Sequence, residues 1–110
     1  MSRGSVDPLS AAFELHRAGR LAEAESLYRQ ALSILEDFLG PDHPEVAYGL
    51  NHLAKLSFLQ ARFAESEALH RRAIAILQKT PGQKSLTLAS GLNGLAELAA
   101  NQGRNSEAEL

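Results

Sequence analysis

The chain has no cysteine and no tryptophan among its 110 residues. Disulfides and thiolate metal sites are thereby excluded, and stability has to come from packing alone. Aromatic residues make up 5% of the sequence, so the core must be assembled from leucine, isoleucine and alanine. There is no basic excess either, since 11 Lys and Arg stand against 13 Asp and Glu for a net charge of −2. Such a balance offers a phosphate backbone no complementary field, which argues against nucleic acid as a partner. No apolar run approaches the roughly 20 residues that cross a bilayer, and no signal-peptide core follows Met1. The expectation is a cytoplasmic chain with no membrane partner. No glycine-rich phosphate loop, nucleophile elbow, Cys–His arrangement or H-E-x-x-H pair occurs. The chain therefore reads as no enzyme, with no cofactor and no metal site.

What is present is repetition. Displaced by 42 residues, Arg20 falls on Arg62 and Arg104, Glu23 on Glu65 and Glu107, and Glu25 on Glu67 and Glu109. Leu27, Arg29, Ala31, Ile34, Leu35, Gly40 and Ala47 recur in the same way. Between Arg20/Arg62 and Ala68/Leu110, 21 of 49 pairs are identical without a gap, which is too many for coincidence. A fixed period of this size marks a solenoid, in which each unit buries its apolar face against its neighbours.

The punctuation within one period gives two helices. Residues 1–6 read as a disordered tail, of which Met1 to Ser5 has the look of an expression scar. Asp7 and Pro8 suit an N-cap and first turn, predicting helices at 8–18 and 21–39 with Gly19 between them. Gly40 and Pro41 stop the second, and Pro44 restarts the pattern. Further helices are predicted at 44–60 and 63–79, then, after a loop at 80–84 and a Ser85 cap, at 86–102. Gly103 should end that helix and begin a sixth, which is cut off within one turn. The units are thus 7–43, 44–85 and a truncated 86–110, about two and a half repeats within one domain at 7–110. The third unit's first helix lacks its partner, predicting a longer array or another molecule over that face.

Four histidines raise the question of a reactive site. His43 sits in the restart before Pro44, and His70 takes the place of Tyr28 one period on, which favours a packing role. His16 and His52 lie in different units, and no two histidines have metal-ligand spacing. Glu23 and Glu25 recur in each unit, as structural residues do.

At 100° per residue, Leu50, Leu53, Ala54, Ser57 and Ala61 of the third helix form the stripe that faces its partner. Gly49, Leu56 and Gln60 lie on the flank that meets a neighbouring unit. The remaining sector holds Tyr48, Asn51, Lys55, Phe58 and Leu59, which nothing within the repeat needs to cover. The period places Val6, Leu9, Phe13, His16 and Arg17 in that sector of the first unit. The third unit supplies Ser90, Asn93, Glu97 and Asn101.

The small and apolar positions carry a resemblance. Ala12, Leu15, Ala24, Tyr28 and Ala31 of the first unit stand at the offsets of the tetratricopeptide core, as do Leu50, Leu53, Ala54 and Ala73 of the second. Leu92, Leu95, Ala96 and Ala108 follow in the third. The period exceeds the usual value of roughly 34 residues by about two helical turns. With L-G-P-D-H-P-E-V-A at 39–47, L-N-H-L-A at 50–54 and R-R-A-I-A-I-L at 71–77, the chain resembles the tetratricopeptide repeats of kinesin light chains and their bacterial relatives. It departs from them at His70, at Ser57 and Ala99 in place of Leu15, and at 83–86. HEAT and armadillo repeats have similar periods and form the alternative.

The resemblance implies an all-α, right-handed superhelix of antiparallel helix pairs whose uncovered sectors line a concave groove for a peptide or partner protein. The groove residues are then Phe13, Arg17, Tyr48, Asn51, Lys55, Phe58, Leu59, Asn93, Glu97 and Asn101. Asn51 and Asn93 either hydrogen-bond a bound peptide backbone or join neighbouring helices. The implied function is a protein-interaction scaffold. The alternatives are a self-associating module joined through its exposed repeat ends, and a regulatory segment of a larger ATPase or transcription regulator.

Overall fold

The computed structural model describes residues 8–80 and 86–108. The expected tail at 1–6, Val6, the Asp7 and Ser85 caps and the loop residues 81–84 lie outside the described residues. Five helices follow one another: α1 (Pro8–Arg17), α2 (Leu21–Leu39), α3 (Pro44–Leu59), α4 (Phe63–Gln78) and α5 (Leu86–Ala108). No strand occurs among the described residues. The first four match the expected helices to within a residue at each described end. α1 packs on α2 and α3 on α4, as two hairpins. α2 leans on α3 and α4 on α5, while α3 also contacts α1 and α5. The result is an all-α repeat solenoid.

Both hairpins turn by the same device. In the first, Arg20 N–H reaches back to Leu15 O at 3.0 Å and Gly19 N–H to His16 O at 3.0 Å. In the second, Arg62 N–H bonds Ser57 O at 2.8 Å and Ala61 N–H bonds Phe58 O at 3.0 Å. This is the Schellman pattern, and it needs a left-handed residue at the reversal. Gly19 supplies it at φ 82°, and Ala61 adopts it at φ 64° despite its Cβ. Gly40 ends α2 at φ 94°, with its N–H on Glu36 O. Pro44 opens α3 as expected, and His43 is the N-cap, its Nδ1 accepting from Glu45 N–H at 3.1 Å.

Alanines set the distance between helices. Ala12, Ala24, Ala31, Ala47 and Ala73 are all buried in one continuous core, so that Leu32, Val46, Leu50, Leu53, Leu56, Ile76 and Leu77 can interdigitate between close backbones. Each of the larger side chains contributes about 2 kcal/mol by leaving water. Of the expected inner stripe and flank of α3, Leu50, Leu53, Ala54, Ser57, Gly49 and Leu56 are all buried, whereas Ala61 lies beyond the helix end, in the turn, and is exposed. Gln60 reaches the preceding unit, donating to Glu25 at 3.1 Å.

The expectation fails at Gly103. α5 runs without interruption to Ala108, and Gly103 does not adopt the positive φ of Gly19 and Ala61. A glycine inside a helix costs only about 1 kcal/mol. A reversal there has to be stabilised by a return helix packing back, as α2 and α4 do, and the five described residues beyond it form little more than a turn. Local hydrogen bonding therefore continues the helix. The apolar stripe of α5 is left uncovered among the described residues: Leu92 is 52% exposed, while Leu50, one period earlier, is 1% exposed.

Candidate binding cleft

Between α3 and α5 lies a cleft of about 850 Å³, lined also by His16 of α1 and, on the α4 side, by Ser66 and His70. Of the ten residues expected to form a groove, Lys55, Phe58, Leu59, Asn93 and Glu97 line it. Lys55 and Phe58 are half-buried, whereas Leu59 projects at 57% exposure and Asn93 and Glu97 are exposed. Phe58 is steadied by Phe63, whose ring meets it edge-on at 5.4 Å. The walls combine an apolar surface with one cation, one anion and one amide.

Phe13, Arg17 and Tyr48 belong to a different constellation. Phe13 and Tyr48 border a separate recess of about 150 Å³ beside Leu9, Ser10 and Glu14. Their rings meet His52 edge-on, at 5.5 and 4.6 Å, while Tyr28 stacks on its other side at 5.7 Å. Arg17 lies over Phe13 with its Cζ 5.9 Å from the ring centre. Asn101 is half-buried on α5, outside the lining of the cleft.

Two expected groove residues are not on a free surface at all. Asn51 is 2% exposed. Its Nδ2 donates to Thr87 O of α5 at 2.8 Å, and its Oδ1 lies 2.9 Å from His70 Nδ1. The amide joins helices and is not offered to a bound peptide, which settles the alternative left open for Asn51. Leu9 is likewise buried, at 4%, and belongs to the core. In both cases atoms of the adjacent unit complete the cover, and a single helix cannot reveal their approach.

Two of the four histidines sit at the joints between units. His52 fits between Tyr28 and the rings of α1 and α3, and His70 fits against Gly94. A Cβ on Gly94 would fall on the edge of the His70 ring, nearest Nε2. Burial, with a contribution from Lys55, pushes the pKa of each down to about 4, and His16 adds to this at His52. His16 is lowered for the same two reasons. Burial, with Tyr48 second, pushes Tyr28 up to about 12. Its hydroxyl has no hydrogen-bond partner, nor do Nδ1 of His52 and Nδ1 of His16.

Charged side chains span the gap between α2 and α4. Glu25 takes Arg62 and Arg29 and the amide of Gln60, while Arg29 also holds Glu65. Arg72 bonds Glu36 at 2.7 Å, and Lys79 meets Asp42 at 3.4 Å. Burial alone raises Glu25, but the bonds from Arg62, Arg29 and Gln60 outweigh it and hold the carboxyl below its ordinary range.

Stacked helix hairpins repeating every 42 residues, with alanines at the close approaches and a cleft along the first helices, define a helical-repeat protein of the α-solenoid class. A tetratricopeptide repeat family model matches residues 9–79, so the chain belongs to the tetratricopeptide repeat family. No curated protein matches it. Repeats of this family generally mediate protein–protein interaction. No helix among the described residues is long and apolar enough to cross a membrane, and no group of three or more His, Asp or Glu among them could hold a metal ion.

Sequence reasoning missed His70, Ser66 and Gly94 as parts of the cleft. A signal existed for two of them. Tyr28 becomes His70 one period on, and His52 becomes Gly94 at the position it packs against, so two departures from the repeat coincide in space.

Proposed function

We propose that the chain is a non-catalytic interaction module that receives a peptide segment of a partner protein in the cleft between α3 and α5. The observation that carries this is the composition of the cleft. Phe58 and Leu59 supply apolar contact, Lys55 and Glu97 supply opposite charges, and Asn93 supplies an amide, within about 850 Å³. That volume falls in the range of pockets that bury a ligand, here open at one side as an elongated guest requires. Tetratricopeptide repeats act through protein contacts, and the reading locates the contact on this chain. A cytoplasmic setting accords with the absence of cysteine.

The test is the pair Phe58→Ala and Asn93→Ala, made together and assayed against a partner captured with the wild-type chain. Binding should weaken at least tenfold while circular dichroism remains unchanged. Undiminished affinity in a folded double variant rejects the cleft.

A second reading, self-association, is favoured by the uncovered stripe of α5, on which Leu92 is 52% exposed. Sedimentation across a hundredfold range of concentration separates the two readings. A mass that stays monomeric throughout removes self-association, and a dimer dissociated by Leu92→Glu supports it.

A further inference from the structure

Asn51 fixes the protonation of the α4 side of the cleft. Because its Nδ2 donates to Thr87 O, its Oδ1 must be the atom that accepts from His70 Nδ1. The imidazole proton therefore sits on Nδ1. His70 is 2% exposed and neutral, and a neutral imidazole has a single proton, so Nε2 is a bare lone pair. That atom lies against Gly94, where both residues line the cleft. No protein group among the described residues donates to it, and the neighbouring Ser66 hydroxyl is engaged with Ala54 O at 2.8 Å. Lys55 lines the same cleft with no carboxylate at ion-pair distance among the described residues.

We propose that His70 Nε2 and Lys55 Nζ, an acceptor and a donor on adjacent helices, recognise a primary carboxamide, so that the partner peptide is anchored by a glutamine or asparagine side chain. The inference rests on the reading of the cleft as a peptide site. A carboxamide carries its N–H and its C=O on separate atoms, one for each of these groups. A hydroxyl can donate to Nε2 and accept from Nζ only where both lie within reach of one oxygen, whereas a carboxamide spans a wider gap with its separate N–H and C=O. A lysine or arginine is opposed at His70 by the charge of Lys55. A carboxylate meets Lys55 but turns lone pairs toward Nε2, which has no proton to give. An aliphatic side chain leaves acceptor and donor without partners in a partly dry site.

The experiment titrates the full, ¹⁵N-labelled chain with three blocked pentapeptides, Ala-Ala-Gln-Ala-Ala and its versions with central Glu or Leu. It follows the His70 ring nitrogens and the amides of Leu59, Asn93 and Gly94. Only the glutamine peptide should move the Nε2 resonance upfield, and it should bind at least fivefold more tightly than the other two. Lys55→Met, with helicity unchanged, should reduce that preference below twofold. Tightest binding by the glutamate peptide, or equal binding by the leucine peptide, overturns the proposal. Movement of Leu59 and Asn93 with a silent Nε2 overturns the carboxamide anchor and leaves the cleft standing. Silence of all three amides with every peptide removes both.

Discussion

The two joints between successive units use the same positions and opposite chemistry. At the first, Leu9, Tyr28 and Leu32 meet Gly49 and His52. At the second, Asn51, His70 and Ile74 meet Gly91 and Gly94. The close approaches correspond: a Cβ on Gly49 would lie 2.8 Å from Leu32 Cδ2, and one on Gly91 would lie 3.1 Å from Ile74 Cγ1. Yet the first joint is filled by bulk, with a tyrosine stacked on a histidine, and leaves the Tyr28 hydroxyl and His52 Nδ1 without partners. The second has a smaller ring against a glycine and bonds it to Asn51. A ring stack adds about 1 kcal/mol to its burial, whereas an unsatisfied buried polar atom costs about 1–3 kcal/mol. The difference teaches that residues of a joint have to change in sets. With Leu9 where the second joint has Asn51, Tyr28 has nothing to bond.

The largest effect should come from filling the second joint. Gly94→Ala drives a Cβ onto the His70 ring and should cost about 3 kcal/mol. Ser10→Ala, the same position on α1, is exposed and should change stability by less than about 0.5 kcal/mol. Urea midpoints of the two variants measure the contrast, and equal midpoints would refute the tight fit at Gly94.

Acid should act next. The histidines of both joints have pKa values near 4, below the ordinary 6.5. Between these values the unfolded chain binds the protons, so stability is complete above pH 6.5 and declines as the pH falls toward 4. For His70, which is nearly fully buried, the whole loss is about 3 kcal/mol, approached only below pH 4. His52 acts in the same direction. Urea midpoints from pH 7 to pH 4 should fall steadily in the wild type and less steeply in His70→Phe, the remainder belonging to the first joint. A variant with the wild-type slope would show that His70 takes no part.

The smallest effect distinguishes the two hairpin turns. Ala61 holds a φ of 64° that Gly19 adopts without a Cβ. Ala61→Gly should stabilise by about 0.5–1 kcal/mol, less than the strain relieved, because glycine also frees the unfolded chain. A raised thermal midpoint is expected, and a lowered one would mean that the turn carries no strain.

Much of the architecture was legible because it is local. The period, the glycines and prolines at the ends, and the alanines at close approaches all act within a unit or across one turn. The stripe on α3 could be read from angles on a single helix, which correctly grouped Lys55, Phe58 and Leu59. The same angles misplaced Asn51 and Leu9, since a helical wheel does not show that Thr87 O of the next unit descends onto Asn51. Gly103 misled for a related reason. A glycine at a recurring position is a permission to turn, and whether the chain turns depends on what packs behind it. The α4 side of the cleft was illegible because it needs α4 and α5 together.

One consequence remains in the charged side chains that join α2 to α4. No Cα of α2 lies within 8 Å of a Cα of α4, and the space is crossed by Arg62, Arg29 and Arg72 reaching glutamates. Exposed pairs of this kind contribute at most about 1 kcal/mol each. The separation of α2 and α4 is set instead by α3, on which both helices pack. The charged side chains therefore bridge an opening that the core has already sized, and exchanging them should leave the helices where they stand.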